Sequence, residues 1–112
     1  MIQDEIVKQK IIVCGAPEFM KMFNSLDKKG DRYKEIDNAL DLLKHDYDAG
    51  DKIPKDRWPY VYIKKYGIHT LFRYKLSQGW RMIYTISGTK EEKICTVLEV
   101  LDHTHYEKRF GY

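Results

Sequence analysis

The 112 residues predict a single α+β domain: a small twisted antiparallel sheet with an N-terminal helical hairpin packed on one face. Three observations carry that expectation. Leu71 to Tyr84 alternates apolar and cationic residues around Ser77, Gln78 and Gly79, a β-hairpin pattern. Residues 17–47 instead repeat apolar side chains at intervals of three and four, in two blocks separated by Gly30. Ile94 to Leu101 is a further run of strand formers behind a turn region from Ser87 to Glu92.

Composition bounds the class. At 43% hydrophobic the chain has enough apolar material for one core over residues 1–112, and no internal repeat divides it. No run approaches the roughly 18 apolar residues of a membrane span. Met1 to Glu5 lacks the basic-then-apolar order of a secretory signal, so the expectation is a cytoplasmic protein. Cys14 and Cys95 sit in apolar strand-like runs without a CxxC pattern, which suits buried reduced thiols.

In chain order, Glu5 to Cys14 reads as a strand with Ile11, Ile12, Val13 and Cys14 at its buried end, broken by Gly15 and Ala16. Pro17 and Glu18 suit a first helical turn, where a missing N–H costs nothing and a carboxylate complements the dipole. Phe19, Met22, Phe23 and Leu26 then form one apolar stripe, and the helix ends near Asp27 to Gly30. Asp31 is the expected N-cap of a longer helix with Tyr33, Ile36, Leu40, Leu43 and Tyr47 on one side. The short link between them predicts an antiparallel helical hairpin. Glu35, Asp37, Asp41, Asp46 and Asp48 read as a solvated acidic face, and His45 alone does not make it a metal site. Gly50 to Pro59 is an irregular connection anchored by Trp58, and Tyr60 to Tyr66 reads as an irregular strand or a bending loop.

The hairpin sets the faces. A three-residue loop, a type I turn followed by Gly79 in the left-handed region, pairs Leu76 with Trp80. Phe72, Tyr74, Leu76, Trp80, Met82 and Tyr84 then share one side, and Arg73, Lys75 and Arg81 share the other with Leu71, Ile83 and Thr85. A two-residue turn would slip the register and set Lys75 beside Trp80 and Met82. In the last strand, alternation puts Ile94, Thr96, Leu98 and Val100 on one face and Cys95, Val97, Glu99 and Leu101 on the other. Glu99 marks the open side, and His103 follows it by continuation toward the three cations.

Charge follows the same division. Residues 1–51 hold 8 Lys/Arg against 11 Asp/Glu, whereas residues 52–112 hold 12 against 6. A basic sheet half suggests a polyanion meeting one face. No nucleotide-binding or hydrolase signature of the Gly-rich, nucleophile-elbow or zinc-helix kind is present. What remains is Arg73, Lys75 and Arg81 on a sheet face with His103, His105 and Tyr106 near the C-terminus. Cations that bind a phosphate and offset the charge of a pentacoordinate transition state, with imidazole or phenol moving protons, suit metal-free phosphodiester chemistry. RNA supplies its own nucleophile, the 2′-hydroxyl. The same residues also have structural uses: solubilising charges at Arg73 and Lys75, capping at His103 or His105, and edge cover at Tyr106.

At these residues the chain resembles the RelE/ParE toxin superfamily. A helical hairpin precedes an antiparallel meander, Tyr74-Lys75-Leu76 precedes Gly79-Trp80-Arg81-Met82-Ile83-Tyr84, and a His/Tyr segment ends the chain. The resemblance implies the RelE-like fold and the mRNA interferase branch of type II toxin–antitoxin systems: a metal-independent endoribonuclease cutting mRNA on the ribosome. It implies Arg81, His103, His105 and Tyr106 as catalytic candidates, and Arg73, Lys75, Lys108 and Arg109 as RNA-binding ones. His105-Tyr106 resembles the ending of one branch, and His103 with Tyr106 the His-x-x-Tyr of another. No cofactor and no metal are implied; the implied partners are mRNA, the ribosome and a cognate antitoxin protein, not a membrane. Two alternatives share the fold, a ParE-like toxin acting on DNA gyrase and an inactive domain that only binds a partner.

Overall fold

In the computed structural model, which describes residues 9–111, the Leu76 backbone N–H donates to the Trp80 carbonyl at 2.9 Å. The hairpin therefore closes through the three-residue loop that its alternation requires. Strands β3 (Phe72–Lys75) and β4 (Arg81–Gly88) pair Phe72 with Tyr84, Tyr74 with Met82 and Lys75 with Arg81. The loop departs from a type I turn. Gln78 (φ 58°) and Gly79 (φ 79°) are both left-handed, and the first of these is rare for a residue with a side chain.

The sheet has order β1-β5-β4-β3-β2, with β1 at Lys10–Gly15, β2 at Asp51–Lys52 and β5 at Glu92–Leu101. From β2 to β5 it is an antiparallel meander, but β1 runs parallel to β5, so the sheet is mixed rather than antiparallel throughout. The cause is topological: β5 ends the meander with a free edge, and the first strand fills it in the same direction. The expected start of β1 at Glu5 lies outside the described residues. Gly50 is what lets β2 approach β3, because a Cβ there would stand 2.6 Å from the Arg73 carbonyl oxygen.

One irregularity corrects the expected faces of β5. Ile83 pairs with Glu99 but Tyr84 pairs with Val97, so Leu98 is the extra residue of a β-bulge. Cys95 and Val97 thus join Val100 on the side that packs against residues 17–43, while Leu98, Glu99 and Leu101 belong to the opposite side.

Helices α1 (Pro17–Ser25) and α2 (Asp31–Leu43) cover the first side. Pro17 begins α1 as expected. Phe19 and Phe23, with Ile36 and Leu43 of α2, pack in one cluster with Phe72, Met82, Tyr84 and Val97. Burying each such side chain contributes roughly 1.5–3 kcal/mol. Between the helices Asp27 makes the turn, its carboxylate accepting from Lys29 N at 3.0 Å and its carbonyl from Gly30 N at 2.8 Å. Gly30 is extended and is itself the N-cap of α2, so Asp31 is the first helical residue and not the cap. Tyr47 packs on this core from beyond the end of α2.

The second side is not open. Tyr60–Tyr66 forms a helix, α3, and His103–Phe110 another, α4. Tyr62 and Tyr106 pack there with Ile53, Ile83 and Leu98, and Trp58 anchors the connection by donating to the Ile53 carbonyl at 2.8 Å. The signals for α3 lay at its ends. Pro59 precedes its first turn and Gly67 closes it in the left-handed region (φ 59°), which outweighs the strand propensity of its tyrosines and β-branched residues.

Two buried phenols set an alkaline limit on this fold. Burial pushes the Tyr84 hydroxyl up to about 12 and, with the Glu99 hydrogen bond, drives Tyr62 higher still. Folded-state values above the unfolded one mean that this stabilisation is complete below pH of about 10 and is lost as pH rises through the folded values. The urea midpoint should fall above about pH 10, and Tyr84→Phe should shallow that fall by one proton. An unchanged slope would place the Tyr84 hydroxyl in water.

Candidate functional site

Arg73, Lys75 and Arg81 do share a face, and two of them converge on a third group that the last helix delivers. Arg73 Nη1 donates to the Tyr106 hydroxyl at 2.6 Å, and its Nε lies 3.8 Å from an Asp51 carboxylate oxygen. The Arg81 guanidinium stands 5.6 Å from the Tyr106 ring centroid and donates to the Trp80 carbonyl at 3.0 Å. Lys75, directly opposite Arg81 in the ladder, is exposed. Tyr106 is thus the hub, itself only 5% exposed. Because its oxygen accepts from Arg73, its own proton is directed elsewhere.

Helix α4 fixes where the two histidines go. Asp102 caps it, its carboxylate accepting from His105 N at 2.8 Å, and His105 Nδ1 lies 2.7 Å from the same oxygen. The backbone bond first, and the imidazole second, hold the Asp102 carboxyl below its usual range. His103, one turn before Tyr106, instead abuts the hairpin tip: a Cβ on Gly79 would stand 3.0 Å from the His103 Cβ. Its Nε2 lies 3.5 Å from Glu107. His103 thus lies at the hairpin tip one helical turn before Tyr106, while His105 belongs to the cap.

The tail cations divide too. Arg109 makes a two-pronged contact with Glu99, at 3.1 and 2.8 Å, and Glu99 also accepts from the Tyr62 hydroxyl at 2.6 Å. Its guanidinium ties α4 to β5 and α3, a structural engagement of a residue expected to bind RNA. Lys108 is exposed.

Residues outside the expected set hold this site in shape. Glu35 accepts from Ser77 N at 2.6 Å and from the Ser77 hydroxyl at 3.0 Å, so it is not part of a solvated acidic face. Arg32, ion-paired to Glu35 at 2.6 Å, donates to the Gln78 side chain at 3.0 Å and lies 4.4 Å from the Trp80 ring centroid. These contacts stabilise the left-handed Gln78 and present Gly79 to His103. The adjacent charges of Arg32 and Glu35, one helical turn on, are the only local signal, and the hairpin tip they meet is more than forty positions away.

Among the described residues no group of three or more His, Cys, Asp or Glu side chains is placed to hold a metal ion, and no helix is long and apolar enough to cross a membrane. No family model, curated protein or solved structure matches this chain. What the arrangement offers chemically is a paired guanidinium and ammonium surface beside a phenol and an imidazole, suited to an oxyanion such as a phosphate.

Two measurements probe the supports. Glu35→Ala should lower stability by about 1–2 kcal/mol in urea titration, the loss expected when partly exposed charge-assisted hydrogen bonds to a turn are removed. A solvated Glu35 would leave the midpoint where it was. Asp102 acts with the opposite pH sense to the phenols: its depressed value means stability present above the ordinary carboxylate range and lost as pH falls through the folded value. Asp102→Asn should be less stable than the parent at neutral pH, and the gap should close on acidification. A gap independent of pH would show that the carboxylate charge contributes nothing to the cap.

Proposed function

We propose that this chain is a metal-independent endoribonuclease of the RelE-like kind, a type II toxin that cuts mRNA on the ribosome in the cytoplasm and is neutralised by an antitoxin protein. The observation that carries the reading is the convergence of Arg73 and Arg81 on Tyr106, with Lys75 beside them and His103 at the hairpin tip. In this reading the ribose 2′-hydroxyl gives its proton to solvent water as its oxygen attacks the adjacent phosphorus, the bond to the 5′-oxygen breaks, and that oxygen takes up a proton. Arg73, Arg81 and Lys75 neutralise the charge that builds on the phosphoryl oxygens. His103 is the imidazole placed to move a proton, and Tyr106 orients the guanidinium of Arg73. His105 has no chemical role here, since it is engaged by Asp102.

A second reading, a RelE-like domain that only binds a partner, is favoured by one feature. Tyr106 is buried and its oxygen is engaged by Arg73, so the phenol is poorly exposed to substrate.

The two readings separate on programmed ribosomes. Cleavage should persist in EDTA and leave a 2′,3′-cyclic phosphate opposite a 5′-hydroxyl. Arg81→Ala should slow it by about 10²-fold or more, as when one preorganised charge stabiliser is lost, with melting nearly unchanged. Tyr106→Phe should slow cleavage and also lower the melting temperature, because Arg73 loses one of its hydrogen-bond acceptors. No cleavage by the parent protein would leave the partner-only reading standing, and full activity in Arg81→Ala would remove Arg81 from the reaction.

A further inference from the structure

Helix α3 carries three of the five exposed large hydrophobic side chains found among the described residues: Tyr60, 71% exposed, and Val61 and Ile63, each about 40% exposed. Its inner residue, Tyr62, is already satisfied in the core, so the outer three are not left over from incomplete packing. Around them the chain is strongly basic. Residues 52–65 hold five Lys/Arg against one Asp. Lys65 is taken by Glu18, but Lys55 and Lys64 are exposed, and Lys64 lies one turn from Tyr60 on the same side of the helix.

An exposed aromatic ring flanked by ammonium groups is the combination that holds unpaired nucleotides, the ring stacking on a base and the cations meeting phosphates. The patch is too small for the alternatives. Three residues on a helix of about 10 Å fall far short of the roughly 800 Å² per partner of a stable protein interface. Position agrees with charge. Tyr62 of α3 meets Phe110 of α4 with ring centroids 6.1 Å apart, and Phe110 meets Tyr106 at 4.7 Å, so α3 lies on the same side of the sheet as Arg73 and Arg81. A strand bound at the basic cluster reaches α3 without rounding the sheet edge.

We propose that the outer face of α3 is a second contact for single-stranded RNA, with one unpaired base stacked on Tyr60 and neighbouring phosphates held by Lys55 and Lys64. It deepens the ribonuclease reading and rests on that reading's premise that the chain takes RNA.

The test is fluorescence anisotropy of a short labelled single-stranded RNA with the full chain. Tyr60→Ala should weaken binding by about 5- to 100-fold, the range measured for loss of one stacked base. Tyr60→Trp should retain it, and Lys64→Ala should reduce the log–log salt slope by about 0.7. Both positions are exposed, so melting should not change. Parental binding in Tyr60→Ala and Lys64→Ala overturns the α3 contact, and Arg81→Ala in the same assay then shows whether the basic cluster still binds. Weakening in the α3 variants with none in Arg81→Ala supports the contact and removes the cluster from the RNA site. No RNA binding by the parent overturns both. Tyr60-dependent binding to vesicles of anionic phospholipid, with RNA binding indifferent to Tyr60, assigns the patch to a lipid surface and overturns the proposal.

Discussion

The register of the β3–β4 hairpin is the constraint from which the other placements follow. A slip of one residue would exchange Met82 and Tyr84 with Arg81 and Ile83, setting cations into a core where Met82 and Tyr84 are fully buried. The loop alone does not enforce that register strongly, because its central Gln78 takes a backbone conformation that side chains resist. The enforcement comes from α2. Glu35 binds Ser77 and Arg32 binds Gln78, so the acidic half of the chain grips the tip of the basic half. The uneven charge distribution is thereby partly structural.

From the same register follows a division between the two sides of the sheet. On the α1–α2 side the core is apolar and stacked, as in Phe23 against Tyr33 at 4.5 Å and Phe72 against Tyr84 at 5.2 Å, with the charged grip of Arg32 and Glu35 confined to the hairpin tip. The other side combines a smaller apolar cluster with charged groups: Asp51, Arg73 and Tyr106 at one point, and Tyr62, Glu99 and Arg109 at another. Charge-assisted contacts of this kind fix geometry more tightly than apolar packing does, because they are directional. They also weaken when water enters. The bulge at Leu98 makes the second possible, turning Leu98 and Glu99 to this side in succession.

What could be read from the chain alone was whatever depended on neighbours within a few residues. The hairpin register, the start of α1 at Pro17, the apolar stripes and the shared face of Arg73, Lys75 and Arg81 all follow from period and turn chemistry. The failures have a common cause in distance. Parallel pairing of β1 with β5 joins Lys10 to Glu92, and nothing near either residue announces it. Glu35 looked like surface because its partner is Ser77. The β5 faces went wrong at one inserted residue that the alternation of Ile94 to Leu101 gives no sign of. Helix α3 is different, since Pro59 and Gly67 did mark its ends and the tyrosines between them argued the other way. Of the candidate site, the shared face of the cations was legible, but the different surroundings of His103 and His105 could not be told apart until α4 existed.

Helix α4 is where stability and chemistry meet. Four contacts hold it: the Asp102 cap, the Arg73 bond to Tyr106, the Arg109 contact with Glu99 and the packing of Phe110 on Tyr62 and Tyr106. Each of them engages a residue that reads from the chain as a candidate for substrate binding or proton transfer. A phosphate arriving at Arg73 competes with the Tyr106 hydroxyl for the same guanidinium. The outcome of that competition depends on charge, because a dianionic or monoanionic oxygen accepts more strongly than a neutral phenol. If phosphate takes the guanidinium, the phenol is released with its ring still held between Arg81 and Phe110, and its proton becomes available at the point where the guanidinium has just bound the anion. In the proposed ribonuclease reading, the buried phenol that otherwise favours the partner-only reading would be exposed by the phosphate that takes its guanidinium.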